Sequence, residues 1–482
     1  MTAPHLSAPS STKKSKLCDT AISNAAVCRP LSHMNKTNTP SHHCHQVKSQ
    51  RSIDLITMGC SKNLVDSERL LRRFADAGCR VFHNPETIHG DIAVVNTCGF
   101  IGDAKEESIN MILSLADAKE DGDLKEIYVM GCLSERYRKE LAEEIPQVDR
   151  FYGKFDWDGL IADLRLTPAA CPTADDRLLT TPGHYAYIKI AEGCNRRCAY
   201  CAIPLIRGKQ VSRSIEDIVA EAKELEAQGV QEITLIAQDT TYFGREKGKK
   251  GGTLAQLLRA ILDNTNIPWI RTLYWYPMFV DDELLDLMAS EPRLVKYVDM
   301  PIQHASDNVL KNMKRNYRKK ELVDILHKIR ERIPGVTLRT TVLVGFPGET
   351  HEDFEELMDL LEDIKFDHLG GFVFSPEEGT PVMEMDLLAV DESEARARLD
   401  AVTDLQEELD VEHAEAMIGK TVRVIIDQVA EESEYHFYGR TEGNSMENDD
   451  IVKVLEGDAD VGEFRDALVV DAEPHELIVK LV

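Results

Sequence analysis

The chain has 482 residues, enough for roughly two to four domains, and carries 84 acidic against 56 basic side chains, a net charge of −28. Such a surface repels phosphate backbones and favours basic partners, and no run of about 18 apolar residues is present to span a membrane. Eleven cysteines, an odd number not spaced as a secreted disulfide framework, point to metal ligation or thiol reactivity in a reducing cytoplasm, and no apolar secretory signal precedes them.

Residues 1–50 carry six basic side chains and one acidic one, Asp19, with much Ser, Thr, His and Asn and no apolar periodicity. They are expected to be a disordered leader. A transit peptide would show an amphipathic Arg pattern that this stretch lacks. The cluster His42, His43, Cys44, His45 reads as a solvated tail able to take up metal adventitiously.

From residue 53 the texture changes. "IDLITM", "DIAVVNTC" and "EIYVMGC" read as strands, each followed by a helical pattern, at about 35-residue spacing. That alternation predicts βαβ units and a parallel sheet over 51–164. In such a sheet all strand C-termini share one edge, where open α/β sheets bind ligands. Cys60, Cys98 and Cys132 each stand at the end of one of these strands. Sequence separations of 38 and 34 residues therefore collapse to one rim, and three thiols there predict a shared metal site. Cys79 and Cys171 are read as ordinary thiols.

"RLTPAACPTADDRLLTTPG" (165–183) reads as a linker. Beyond it, six strand-helix units follow over 184–415, with strands at "YAYIKI", "EITLIA", "RTLYWY", "KYVDM", "TLRTTVLV" and "HLGGFVF". Six units make an open, partial barrel, with chemistry expected at the strand C-termini. The last segment, 416–482, holds five short strands divided by turn residues and predicts a small all-β barrel.

The first strand of the partial barrel delivers "EGCNRRCAYCAIP", with Cys194, Cys198 and Cys201 within eight residues. A structural zinc site takes four ligands, usually as two paired cysteines, and no second pair lies nearby. Three thiolates on a [4Fe–4S] cubane leave one iron without a protein ligand. An open metal position is what a reaction requires.

This CxxxCxxC motif resembles the signature of the radical S-adenosylmethionine (SAM) superfamily, with Tyr200 in the aromatic place before the last cysteine. The resemblance implies that the vacant iron chelates SAM, whose reductive cleavage yields methionine and a 5′-deoxyadenosyl radical. "IAQDTT" places Gln238 or Asp239 where the superfamily commonly holds the SAM amino group. "VLVGFPGET" places Gly345 in a turn that usually approaches the cofactor, its bland reading being a tight connection. His304, in "MPIQHASD", reads as a satisfied histidine rather than a base.

The fuller pattern "GCSKNLVDSE", "NTCGF", "GCL", "EGCNRRCAYCAIPLIRG" and a terminal β-barrel resembles the radical SAM methylthiotransferases over about residues 53–482. That resemblance implies an α/β chain with an N-terminal methylthiotransferase domain, a radical SAM core and a TRAM-like barrel. It makes Cys60, Cys98 and Cys132 ligands of an auxiliary [4Fe–4S] cluster, and Cys194, Cys198 and Cys201 ligands of the radical-generating one. SAM then serves as methyl donor and radical source, a low-potential donor such as flavodoxin or ferredoxin supplies electrons, and a further donor supplies sulfur.

Two branches differ in substrate: MiaB-like enzymes modify tRNA adenosines, and RimO-like enzymes modify an aspartate of ribosomal protein S-twelve. From Met417 to Val482 there are 16 acidic and 6 basic residues, the wrong sign for gripping phosphates and the right one for a basic ribosomal protein. An acidic solvated surface is the bland alternative. "GCSKNLVDSE" and "MPIQHASD" also resemble the protein-modifying branch. The expectation is β-methylthiolation of an S-twelve aspartate; tRNA methylthiolation, and a non-catalytic iron–sulfur or zinc RNA-binding protein, are the alternatives.

Overall fold

Every apolar run in the N-terminal third becomes a strand of one parallel sheet. Its elements are β1 (Ser52–Thr57), α1 (Ser61–Asp76), β2 (Arg80–His83), β3 (Ile92–Thr97), α2 (Gly102–Asp121), β4 (Glu126–Gly131), α3 (Cys132–Glu144), β5 (Arg150–Phe151) and α4 (Trp157–Asp163). The strands order as β2-β1-β3-β4-β5, all parallel. β3 is buried throughout, with Val94 packing on one face with Leu55, Leu70 and Phe74 and Val95 on the other with Ile112, Ile127 and Leu141. A strand covered on both faces reads as a continuous apolar run, as this one does. The short edge strands β2 and β5 were not among the three expected. The computed structural model describes residues 51–166, 177–446 and 449–482. The expected leader over 1–50, the His42–His45 cluster and Cys171 lie outside the described residues.

The central region contains β6 (Tyr185–Lys189), β7 (Ala191–Glu192), α5 (Ile203–Arg207), β8 (Val211–Ser212), α6 (Ile215–Ala227), β9 (Glu232–Ile236), α7 (Leu254–Asn264), β10 (Trp269–Thr272), α8 (Asp282–Ser290), β11 (Tyr297–Asp299), α9 (Asp307–Asn312), α10 (Lys319–Arg332), β12 (Thr337–Val344), α11 (His351–Ile364) and β13 (His368–Val373). Six parallel strands run β6-β9-β10 and β11-β12-β13, the two halves joined by a parallel bridge between Ile270 and Leu294. This is the expected partial barrel. Ser214, Thr253, Asp281 and Thr350 cap α6, α7, α8 and α11 by accepting backbone N–H bonds, which fixes where each helix begins. Strict alternation in β12 buries Leu338, Val342 and Val344 and turns Thr341 and Leu343 toward the cavity described below. One boundary differs from the sequence reading: "RTLYWY" leaves the strand after Thr272, because Tyr274 takes a φ of 63° and breaks the extension.

α12 (Glu392–Met417) packs along β13 and carries the chain to a closed barrel of β14 (Thr421–Val429), β15 (Phe437–Arg440), β16 (Ile451–Glu456), β17 (Phe464–Glu473) and β18 (Glu476–Leu481), in the order β14-β15-β16-β18-β17. The three regions share a second core, where Val65 of α1, Tyr187 of β6, Trp269 of β10 and Ile425 of β14 meet. The described end of the expected linker is held there too: the Thr180 N–H donates to Glu68 Oε1 at 2.8 Å, and Arg177 pairs with Glu68 Oε2 at 3.0 Å.

Candidate active site at the facing rims

Cys60 sits at the N-cap of α1, Cys98 directly after β3 and Cys132 at the first turn of α3, so the parallel sheet delivers all three to one edge. Cys98 is close enough to Cys60 and Cys132 to feel their charge, and Cys132 to feel that of Cys60. The approach depends on Gly59, at φ 86°: a Cβ there would stand 2.7 Å from Cys98 Cβ and 2.8 Å from its Sγ. Burial pushes the Cys98 thiol up to about 11, and pushes the Cys132 thiol up as well. The loop after β7 gathers Cys194, Cys198 and Cys201; burial pushes the Cys194 thiol up to about 12 and pushes the Cys201 thiol up as well. All six thiols are free, as is Cys79, which is buried in the core beside α1. Among the described residues no three His, Cys, Asp or Glu side chains converge as the ligands of a single ion would.

A cavity of about 1050 Å³ opens at the barrel's C-terminal edge. Cys194, Cys198 and Cys201 line it, and so does Phe100, two residues beyond Cys98 on the N-terminal rim. Tyr200, Gln238, Asp239 and Gly345 are also on its wall. Asp239 is already committed: Arg196 Nε donates to its Oδ2 at 2.7 Å, and the Thr241 hydroxyl donates to its Oδ1 at 2.7 Å. Gln238 has no such bonds among the described contacts and faces the cavity. Arg315 Nη1 donates to the Tyr200 hydroxyl at 3.2 Å and stands 3.8 Å from Cys198 Sγ. Gly345, at φ 73°, has a packing requirement of its own, since a Cβ would meet Ala395 Cβ of α12 at 2.5 Å.

His304 is off the wall. It is fully buried, its Nδ1 accepts the Ser306 N–H at 3.1 Å, and desolvation lowers it to about 3, so it is neutral. The sequence reading expects a satisfied histidine, and only one ring nitrogen is: its Nε2 has no hydrogen-bond partner among the described residues, with Glu349 Oε1 at 3.9 Å.

Sequence reasoning missed the polar seam between the two rims. α1 buries Lys62, Asn63, Asp66 and Glu68, a polar face where a helix ordinarily buries apolar residues. Lys62 Nζ lies 3.2 Å from the centre of the Tyr274 ring. Asp66 pairs with Lys189 and Arg207, and Glu192 accepts from Arg207 at 2.9 Å and pairs with Lys189 at 2.9 Å. Burial would raise the Glu192 carboxyl, but Lys189 and Arg207 outweigh it and hold it down to about 2. On the far side, Glu377 accepts from Lys105 of α2 at 3.0 Å and Arg136 of α3 at 2.7 Å. The signal in the sequence was the density of charge in "SKNLVDSE" at helical spacing, which α/β patterning alone does not explain.

Profiles of known families match the chain in three blocks: "Uncharacterized protein family UPF0004" over residues 52–153, "Radical SAM superfamily" over 188–361 and "TRAM domain" over 418–482. The chain is 47% identical over 435 residues to a Bacteroides thetaiotaomicron protein named Ribosomal protein uS12 methylthiotransferase RimO, covering 90% of this chain and 99% of that one. Proteins of the same name from Phocaeicola vulgatus, at 46% identity over 90% of this chain and 100% of that one, and from Cytophaga hutchinsonii, at 42% over 89% and 98%, are similarly close. Among solved structures, the radical SAM methyltransferase TsrM from Kitasatospora setae shares the fold, with a TM-score of 0.50 at 16% identity over 69% of this chain and 75% of that one. With the thiol triads on facing rims, the three blocks in this order and identity sustained along the whole length of the curated relatives, the chain belongs to the RimO family of radical SAM methylthiotransferases.

Proposed function

We propose that this enzyme adds a methylthio group to the β-carbon of an aspartate in small-subunit ribosomal protein S-twelve. The observation that carries the reading is a cavity lined by Cys194, Cys198 and Cys201 and by Phe100 to Asp103, the segment that follows Cys98, in a chain that matches S-twelve methylthiotransferases along nearly their whole length. All-thiol donor sets suit iron–sulfur clusters, in which each thiolate ligates one iron. Cys60, Cys98 and Cys132 would hold one [4Fe–4S] cluster and Cys194, Cys198 and Cys201 the other. When bound, the clusters and SAM supply the electron, the carbon radical, the methyl group and the sulfur.

The chain's own residues do the rest. Burial raises the Cys98 and Cys132 thiols, so loading a cluster there releases protons from them. Tyr200, Gln238 and Gly345 would border SAM, with Gln238 the polar group left free to meet its ammonium once Asp239 is bound by Arg196. Residues 51–164, 184–415 and 416–482 act as auxiliary-cluster domain, radical SAM core and substrate-facing barrel, with 165–183 between the first two. Among the described residues no helix is long and apolar enough to cross a membrane, and we place the enzyme in the cytoplasm, served by a low-potential electron donor of the flavodoxin or ferredoxin kind and by a separate sulfur donor.

Mass spectrometry of ribosomal proteins and tRNA from cells with and without the gene tests this. The expected result is one methylthio mass lost from S-twelve at an aspartate, with tRNA unchanged; loss from a tRNA adenosine instead would transfer the activity to the other branch.

A further inference from the structure

The two thiol triads are joined by a single turn of helix. α5 starts two residues after Cys201 and ends on Arg207, whose guanidinium is almost wholly buried. Along the way Ala202 and Ile206 pack against Cys132. Arg207 Nη2 then donates to Cys132 Sγ at 3.4 Å and to Asn63 Oδ1, while Nη1 donates to Glu192 Oε1 at 2.9 Å. Asn63 cannot turn away, because its Nδ2 donates to the carbonyls of Met58 at 2.9 Å and Thr97 at 3.1 Å. The guanidinium is therefore fixed in plane and aimed at a thiol of the N-terminal triad, although it belongs to the motif of the other.

From this geometry we infer that Arg207 is a positioning residue that sets the reduction potential of the N-terminal cluster from the radical SAM core. The inference rests on the reading of Cys132 as a cluster ligand. Hydrogen bonds and positive charge at a cluster's sulfur ligands stabilise its reduced form, and charge-assisted bonds do so most. Arg207 and Lys189 balance Asp66 and Glu192 within the seam. Removing the guanidinium takes one positive charge from beside the triad, and neutralising Glu192 takes away one negative charge from the same seam. The two changes must therefore move the potential in opposite directions.

The test is a potentiometric titration, followed by electron paramagnetic resonance, of the full chain carrying both clusters. A Cys194→Ala/Cys198→Ala/Cys201→Ala variant identifies which signal belongs to the N-terminal triad. Arg207→Met is expected to shift that one-electron midpoint downward, Arg207→Lys to recover part of the shift, and Glu192→Gln to shift it upward. Unchanged midpoints in both Arg207→Met and Glu192→Gln, or shifts of the same sign, overturn the inference. Should Arg207→Met fail to hold the cluster, the sign of the Glu192→Gln shift decides. In the Cys194→Ala/Cys198→Ala/Cys201→Ala background, a signal that survives Cys60→Ala overturns the ligand assignment, and this inference with it.

Discussion

The two triads proposed as cluster ligands are expected to fail differently when a thiol is removed from each. Cys198→Ala removes a thiol from the cavity wall and is expected to abolish 5′-deoxyadenosine formation while the N-terminal triad still takes up iron; continued cleavage of SAM would remove Cys198 from its role. Cys98→Ala is expected to leave SAM cleavage intact and stop methylthio transfer, as read by product mass. Cys98 was singled out because strand C-termini in a parallel sheet share an edge whatever the side chains do, and Cys198 because the CxxxCxxC spacing gathers three thiols in one loop. Arg207, Asn63 and Arg315 were not. A buried Arg is recognised by what surrounds it, and those partners lie up to 144 residues away in the chain, as with Asn63 and Arg207.

At the scale of elements, the partial barrel follows its sequence closely, and the departures are instructive. α6, α7, α8 and α11 begin directly after Ser214, Thr253, Asp281 and Thr350, whose side chains cap them, because capping residues and apolar periodicity are local signals. "RTLYWY" departs because its aromatic residues are spent on the cavity rather than on the ladder. The turn after β12 makes a sharper point. Gly345 reads from sequence as a cofactor contact or a tight connection, and the structure supplies a packing reason in the approach of α12. Gly345→Ala forces a Cβ into Ala395 and a side chain into a left-handed φ, so a loss of about 1–3 kcal/mol is expected. Chemical denaturation without SAM measures it; an unchanged midpoint would show that the turn yields freely and that the glycine serves the ligand alone.

For the whole molecule, the terminal barrel is fastened to the core by buried ions. Glu232, fully buried in β9, accepts from Arg271 at 2.8 Å and from Arg440 of the barrel at 2.8 Å, and Arg440 also pairs with Asp427 at 2.7 Å. Burial would raise the Glu232 carboxyl, but Arg440 and Arg271 outweigh it and hold it below its ordinary value of 4.5. A depressed folded-state value contributes stability that is present above pH 4.5 and is lost as the pH falls through the folded value. Thermal stability should therefore decline on acidification below that point. Glu232→Gln should cost about 3–5 kcal/mol at neutral pH, as removal of one partner from a buried pair does, and should flatten the acid limb; an unaltered limb would assign it to other carboxylates. On the outside of the same barrel, Glu431, Glu432 and Glu434 are exposed. Reversing them to Lys is expected to weaken binding of S-twelve, more at low salt than at high salt, and equal binding at both would leave the acidic surface without a role in recognition.

Strand order along the chain, the cysteine spacings and the charge of each segment determined, without coordinates, that this is an α/β chain with two thiol triads and an acidic terminal barrel. These are short-range properties, set by backbone periodicity and composition. The tertiary structure alone decided that the triads face each other across a seam of buried ions, that α5 ties one to the other through Arg207, and that Asp239 is engaged while Gln238 is free. Each of those depends on side chains meeting across domains, where electrostatic and packing energies are settled by distances that no local pattern encodes.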